Sequence, residues 1–172
     1  ENALLATGAE VVRLEHGLTA HAYDALVLTG YGRFGEAIRS LEGAGMFSAL
    51  WNFYEEIRKP ILGISLGMHM LASGSEESPG QPGLNILPGT ARSMPSRLGK
   101  PYTGWHRMEL DLDDPLFEGI DPLVEWHFTQ DYMILSTTLK KALAGEYILG
   151  GLPTAGALRR GSVWGLQFDP VK

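Results

Sequence analysis

At 172 residues and 44% hydrophobic content, the chain fits one globular domain with a sizeable core. A net charge of −6 argues against nucleic acid or an anionic membrane as a partner. With no cysteine there is no disulfide, thiolate metal site or thiol nucleophile. No apolar run reaches transmembrane length, and Glu1-Asn2-Ala3-Leu4-Leu5 is not a signal-peptide pattern. A cytoplasmic protein is expected.

In chain order, residues 1–9 read as the tail of a helix closing at Gly8. Residues 10–14 (Glu-Val-Val-Arg-Leu) predict a strand, and residues 24–29 predict a second, apolar enough to be central. A glycine-rich loop follows, Gly30-Tyr31-Gly32-Arg33-Phe34-Gly35. It is either a tight turn into the next helix or a backbone donor surface. It lacks the Lys-Ser/Thr of a phosphate loop and fits no dinucleotide fingerprint. Residues 36–42 and 46–58 predict helices, the second with Phe47, Leu50, Tyr54 and Ile57 along one apolar face.

Residues 60–64 then predict a short buried strand running into a helix start at residues 66–72. Between them stands Gly63-Ile64-Ser65-Leu66-Gly67, the strand-turn-helix layout that carries a nucleophile on a sharp bend. Flanking glycines allow the bend to be tight and a substrate to come close. N–H groups at the helix start face a developing oxyanion in such sites. The same five residues also occur as plain joints in α/β proteins, so alone they do not establish catalysis.

Residues 73–83 form a loop rich in Ser, Glu, Pro and Gly. Short strands are predicted at 84–87, 90–94, 105–112, 124–128, 132–135, 146–149, 157–160 and 163–168. Strand and helix thus alternate first, and strands dominate later, within one domain over residues 1–172. His16, His21, His69, His106 and His127 show no metal-ligand spacing. His106 and His127 read best as surface or hydrogen-bonded core histidines. Asp111-x-Asp113-Asp114 reads as a solvated turn, and Arg159-Arg160 and Lys140-Lys141 as solvated or subunit-contact pairs.

Four stretches together resemble the class I glutamine amidotransferases, most closely the glutaminase subunit of imidazole glycerol phosphate synthase. Residues 28–35 are similar to the family's oxyanion loop, Pro-Gly-x-Gly-x-Phe-Gly. Gly63-Ile64-Ser65-Leu66-Gly67-Met68-His69 resembles Gly-Ile-Cys-Leu-Gly-Met-Gln. Tyr102-Thr103-Gly104-Trp105-His106 is similar to the segment around Gly-Trp-Asn. Residues 163–172 resemble Gly-Val-Gln-Phe-His-Pro-Glu-Lys. The matches fall in family order over nearly the whole chain.

The resemblance implies an α/β, flavodoxin-like single three-layer domain. Its central sheet would be mostly parallel, with helices on both faces and the site at the carboxyl ends of the strands. It implies glutamine as ligand, no cofactor, and for a partner the cyclase barrel subunit. The family's first strand and last helix have no counterpart in these 172 residues.

The family's Cys, His and Glu triad falls on Ser65, Asp169 and Val171. A serine hydroxyl needs a neighbouring base, an aspartate with a reference pKa near ~3.9 is a poor one, and valine orients nothing. The resemblance places substrate contacts at Gly30, Tyr31, Gly32, Leu66, His69, Gln130, Asp131 and Tyr132. Of these, His69 stands for the family's glutamine, and Gln130-Asp131-Tyr132 for His-Ser-Tyr. Thr29 replaces the oxyanion-loop proline, while the backbone donor at Tyr31 needs only the loop shape. Three functions are therefore weighed: a working glutaminase, a non-catalytic relative keeping fold and partner surface, and a serine hydrolase using Ser65 with His69 or His127.

Overall fold

The joint at residues 60–71 lies in the largest sheet of the molecule. In the computed structural model, which describes residues 1–172, β2 (Ile61–Ile64) turns at Ser65 into α4 (Leu66–Leu71). Alternate β2 residues face opposite ways, as a strand requires. Ile61 packs among the helices, and Leu62 packs against the layer behind.

Before the joint come α1 (Asn2–Leu5), β1 (Leu26–Leu28), α2 (Phe34–Gly43) and α3 (Met46–Asn52). After it come β3 (Gly74–Ser75), β4 (Thr90–Ser93), β5 (Tyr102–Arg107), β6 (Glu109–Leu110), β7 (Glu125–Gln130) and β8 (Tyr132–Met133). The chain ends with β9 (Leu143–Leu149), β10 (Leu152–Arg160) and β11 (Val163–Leu166). The main sheet runs β1-β2-β11-β10-β9-β6. No helix is long and apolar enough to cross a membrane.

The α/β class and the three layers stand as expected, with two refinements. The sheet is mixed: β1, β2 and β11 pair in parallel, while β11-β10, β10-β9 and β9-β6 are antiparallel. The tight turns at 150–151 and 161–162 join neighbouring strands directly, and a two-residue joint forces antiparallel pairing. Second, the buried apolar side chains of α2, α3 and α4 all feed one cluster that includes Phe34, Ile38, Leu50, Met68 and Leu71. The other face is covered by the two-stranded antiparallel β5–β7 sheet, not by helices. Its Phe128 stacks on Tyr147 of β9 at 4.3 Å, and its Trp126 lies 4.3 Å from Phe168.

Local expectations fail where a partner is missing. Residues 10–14 form no strand, because no neighbour takes their backbone groups. The outer edge of β1 is therefore unpaired and β1 is an edge strand, not a central one, with Val27 40% exposed. Residues 84–87 are no strand either: the N–H groups of Leu84, Ile86 and Leu87 donate to Met70 and Leu71 carbonyls at the end of α4. Beyond α3 the helix widens to a π-turn over Phe53–Ile57, closed by Arg58 N–H to Phe53 O at 2.9 Å. The wider turn rotates the face, so Phe53 is fully buried while Phe47, Tyr54 and Ile57 are half-buried.

The acidic turn is solvated at Asp111 and Asp113, and Arg160 is exposed, but Asp114 and its partner Arg159 depart from that expectation. Asp114 is buried and accepts from Leu116 N–H at 2.9 Å, Trp164 Nε1 at 3.0 Å and Arg159 Nη1 at 3.4 Å.

Candidate active site at the Ser65 bend

The bend is sharp. Ser65 has φ 54° and ψ −110°, a conformation that L-residues rarely hold and that costs about 1–3 kcal/mol. Its N–H donates to Leu166 O at 2.7 Å, which ties the corner to β11. The flanking glycines serve packing. A Cβ on Gly67 would stand 1.9 Å from Leu28 O, and one on Gly63 would stand 2.8 Å from Gly67 backbone atoms. They let α4 lie directly on β1 and β2, which the expectation of substrate approach did not include.

The glycine-rich loop meets the bend at Leu66. Gly30 lies over Leu66, whose Cδ2 would be 3.7 Å from a Gly30 Cβ. Gly32, at φ 103°, holds a conformation suited to glycine. The Tyr31 and Gly32 N–H groups donate to no protein acceptor, and the Tyr31 side chain is fully exposed. Leu66 N–H leads α4, where no intrahelical acceptor exists.

The loop after α4 fixes this surface in a way the sequence reading missed. Glu77 Oε2 accepts from Phe34 N–H at 2.8 Å, and Ser78 Oγ accepts from Gly35 N–H at 3.1 Å. Both sit at the start of α2, where backbone donors are otherwise orphaned. Two adjacent acids in a polar loop just after the helix were the available signal. Burial first, then Glu77, Asp131 and Glu76, push the Tyr132 phenol above its ordinary value, with Arg33 opposing them. Charges from the glycine-rich loop, the 73–83 loop and the β7–β8 turn thus all act on Tyr132.

The candidate bases for Ser65 are engaged with other groups or packed against them, and none is hydrogen-bonded to it. Ser65 Oγ makes no hydrogen bond. His69, one turn along α4, is buried, and its Nε2 lies 2.6 Å from Gln167 Oε1. Burial lowers its pKa, which the Gln167 bond only partly offsets. Gln167 Nε2 is itself buried without a partner. His127 is buried edge-on to Trp105, and His106 Nε2 bonds the Tyr102 hydroxyl at 2.6 Å. Burial lowers the His106 pKa too, against the pull of Glu125. The Asp169 carboxylate accepts from Val171 N–H at 3.0 Å, while the exposed Val171 side chain points to solvent.

Gln130 is turned away. Its side chain is buried in the rear layer and donates to the Tyr147 hydroxyl at 2.9 Å, leaving its Oε1 unpartnered. Asp131 is exposed and Tyr132 half-buried, close enough to Arg33 and Glu77 for their charges to act on the phenol.

No family model matches the chain. It is 34% identical over 173 residues to the imidazole glycerol phosphate synthase subunit HisH of Symbiobacterium thermophilum, covering 99% of this chain and 79% of that protein. The subunit HisH of Moorella thermoacetica is 33% identical over 153 residues, covering 88% of this chain and 70% of that one. In fold it is similar to a crystal structure of a glutamine amidotransferase, with TM-score 0.72 and 21% identity over 98% of this chain and 82% of that one. A Thermoplasma acidophilum protein described as a GMP synthase component follows at TM-score 0.66 and 16% identity, over 98% of this chain and 75% of that one. Identity above 30% over most of both chains, on the amidotransferase fold, makes this chain a member of the imidazole glycerol phosphate synthase subunit HisH family.

Proposed function

We propose that this chain is a glutamine amidotransferase domain that keeps the ligand-facing scaffold and partner surface of its family and does not hydrolyse glutamine. One observation supports the reading: the Ser65 hydroxyl is hydrogen-bonded to no base. None of the five histidines bonds it, and the side chain at the family's histidine position closes its own turn. Losing a key triad member costs about 10⁶-fold in turnover in a serine protease, which leaves binding and oxyanion donors. The donors of Tyr31 and Leu66, with His69, Asp131 and Tyr132, are the proposed glutamine contacts. Gln130 contributes through its strand rather than its side chain. A cyclase barrel subunit is the proposed partner, since the relatives are named as subunits of a synthase.

The test is glutamate release from glutamine, with and without a cyclase subunit. No turnover is expected in either arm, together with calorimetric binding of glutamine or capture of the cyclase. Clear turnover refutes the inactive reading. Silence in both binding measurements refutes the binding reading. A fluorophosphonate probe that labels the wild type but not Ser65→Ala would instead favour the serine hydrolase.

A further inference from the structure

At the opposite end of the sheet from Ser65, where β10 ends and β9 begins, lies a hollow of about 550 Å³. That volume is within the range of small-molecule sites. Its wall carries Lys141, Arg159 and Arg160 on a protein whose net charge is −6. We propose that this hollow binds a small hydroxylated phosphate monoester, with the three cations on the phosphate and Asp111 on the hydroxyl groups.

The two arginines are pre-organised by protein acceptors that use only part of their donor sets. Arg159 gives Nε to Gly161 O at 3.0 Å and Nη1 to Asp114 at 3.4 Å, and lies over the Trp164 ring at 5.1 Å. Arg160 gives Nη1 to Ile86 O at 3.0 Å and lies over the Tyr54 ring at 5.8 Å. A guanidinium has five N–H donors, so each keeps donors for an anion while its plane is fixed. Holding the fork before binding lowers the entropy lost on binding. Lys141 is exposed and makes no bond to the protein, so its ammonium is free to close on a bound phosphate.

The acids sort the ligand class. Asp114 is neutralised: its buried carboxylate already takes Arg159, Trp164 and a backbone N–H. Asp111 is not. It is exposed, and only its Oδ1 is used, by Asp113 N–H at 3.2 Å. A carboxylate beside three cations repels a bare phosphate. It accepts hydrogen bonds from a ligand that brings hydroxyls on the phosphate's far side.

Ribose 5-phosphate, ribose and inorganic phosphate, each titrated into the full chain by calorimetry, test this. The expected order is ribose 5-phosphate first, inorganic phosphate weaker, and ribose without binding. Lys141→Gln, which breaks no hydrogen bond or ion pair within the protein, should weaken the ester about tenfold at unchanged melting temperature. Asp111→Asn keeps the Oδ1 acceptor but not the charge, so it should tighten inorganic phosphate and narrow its gap to the ester. No saturable binding of ribose 5-phosphate below about 10 mM overturns the site. Binding that Lys141→Gln leaves unchanged also overturns it. Equal affinity for phosphate and ester overturns the role of Asp111.

Discussion

The Ser65 corner and the 167–171 return lie side by side, and different things hold them. The corner is fixed by backbone against backbone: Gly67 on Leu28 O, Gly63 on Gly67, and Ser65 N–H on Leu166 O at 2.7 Å. The return is fixed by Phe168 in the rear cluster, while Asp169, Pro170 and Val171 project from it. A corner of the first kind survives only if its shape is kept. Side chains of the second kind can be exchanged without the fold noticing. Chemistry that needs both can therefore be lost at the return while the corner stays intact.

The largest effect should come from Gly67→Ala. Its Cβ would meet Leu28 O at 1.9 Å, and neither strand nor helix can yield there. A loss of about 3 kcal/mol or more is expected in urea unfolding. A loss under about 1 kcal/mol would mean the corner adapts, and the contrast with the return would fail.

Acid should act next, through His69. Its folded pKa is depressed by burial, so below its unfolded value near 6.5 the unfolded chain binds a proton that the folded chain refuses. Stability is full above that value and falls as pH drops toward the folded pKa. His69→Gln is close in size and still offers Gln167 a partner. The variant should lose less stability than wild type between pH 7.5 and pH 5. Equal slopes would show that His69 is not the buried group responsible.

The sequence showed the corner because glycine spacing and an apolar run are local signals, and they place Ser65 and its helix correctly. It did not show the edge. Residues 24–29 are apolar enough for a central strand, but centrality depends on a neighbour, and residues 10–14 do not pair. Nor did it show Glu77 and Ser78, because capping α2 from 43 residues away is a tertiary fact. The π-turn at Phe53 escaped for a related reason: one inserted residue moves the apolar face without changing composition. Asp114 looked like a solvated turn residue because Trp164 and Arg159 come from 50 and 45 residues away.

Ser65→Gly isolates the strain at the corner. The hydroxyl makes no bond, so its loss costs nothing in contacts. Glycine relieves the φ of 54° but gains freedom when unfolded. The balance should favour the variant by about 1 kcal/mol. Ser65→Ala, which keeps the strain, should match wild type. If both variants are equally stable, the bend is not strained and its conformation needs another cause.

The smallest effect should be at the return, where Asp169→Ala removes one exposed hydrogen bond to Val171 N–H. A loss of about 0.5 kcal/mol is expected, and Asp169→Asn should recover it, since an amide oxygen closes the same turn. The backbone bond from Asp169 N–H to His127 O at 3.0 Å is untouched by either change, so the strand stays anchored. A cost near 2 kcal/mol that Asn does not rescue would assign the carboxylate's charge a structural partner. The return would then be as constrained as the corner. Asp169 would then be a residue the fold requires, rather than one it is indifferent to.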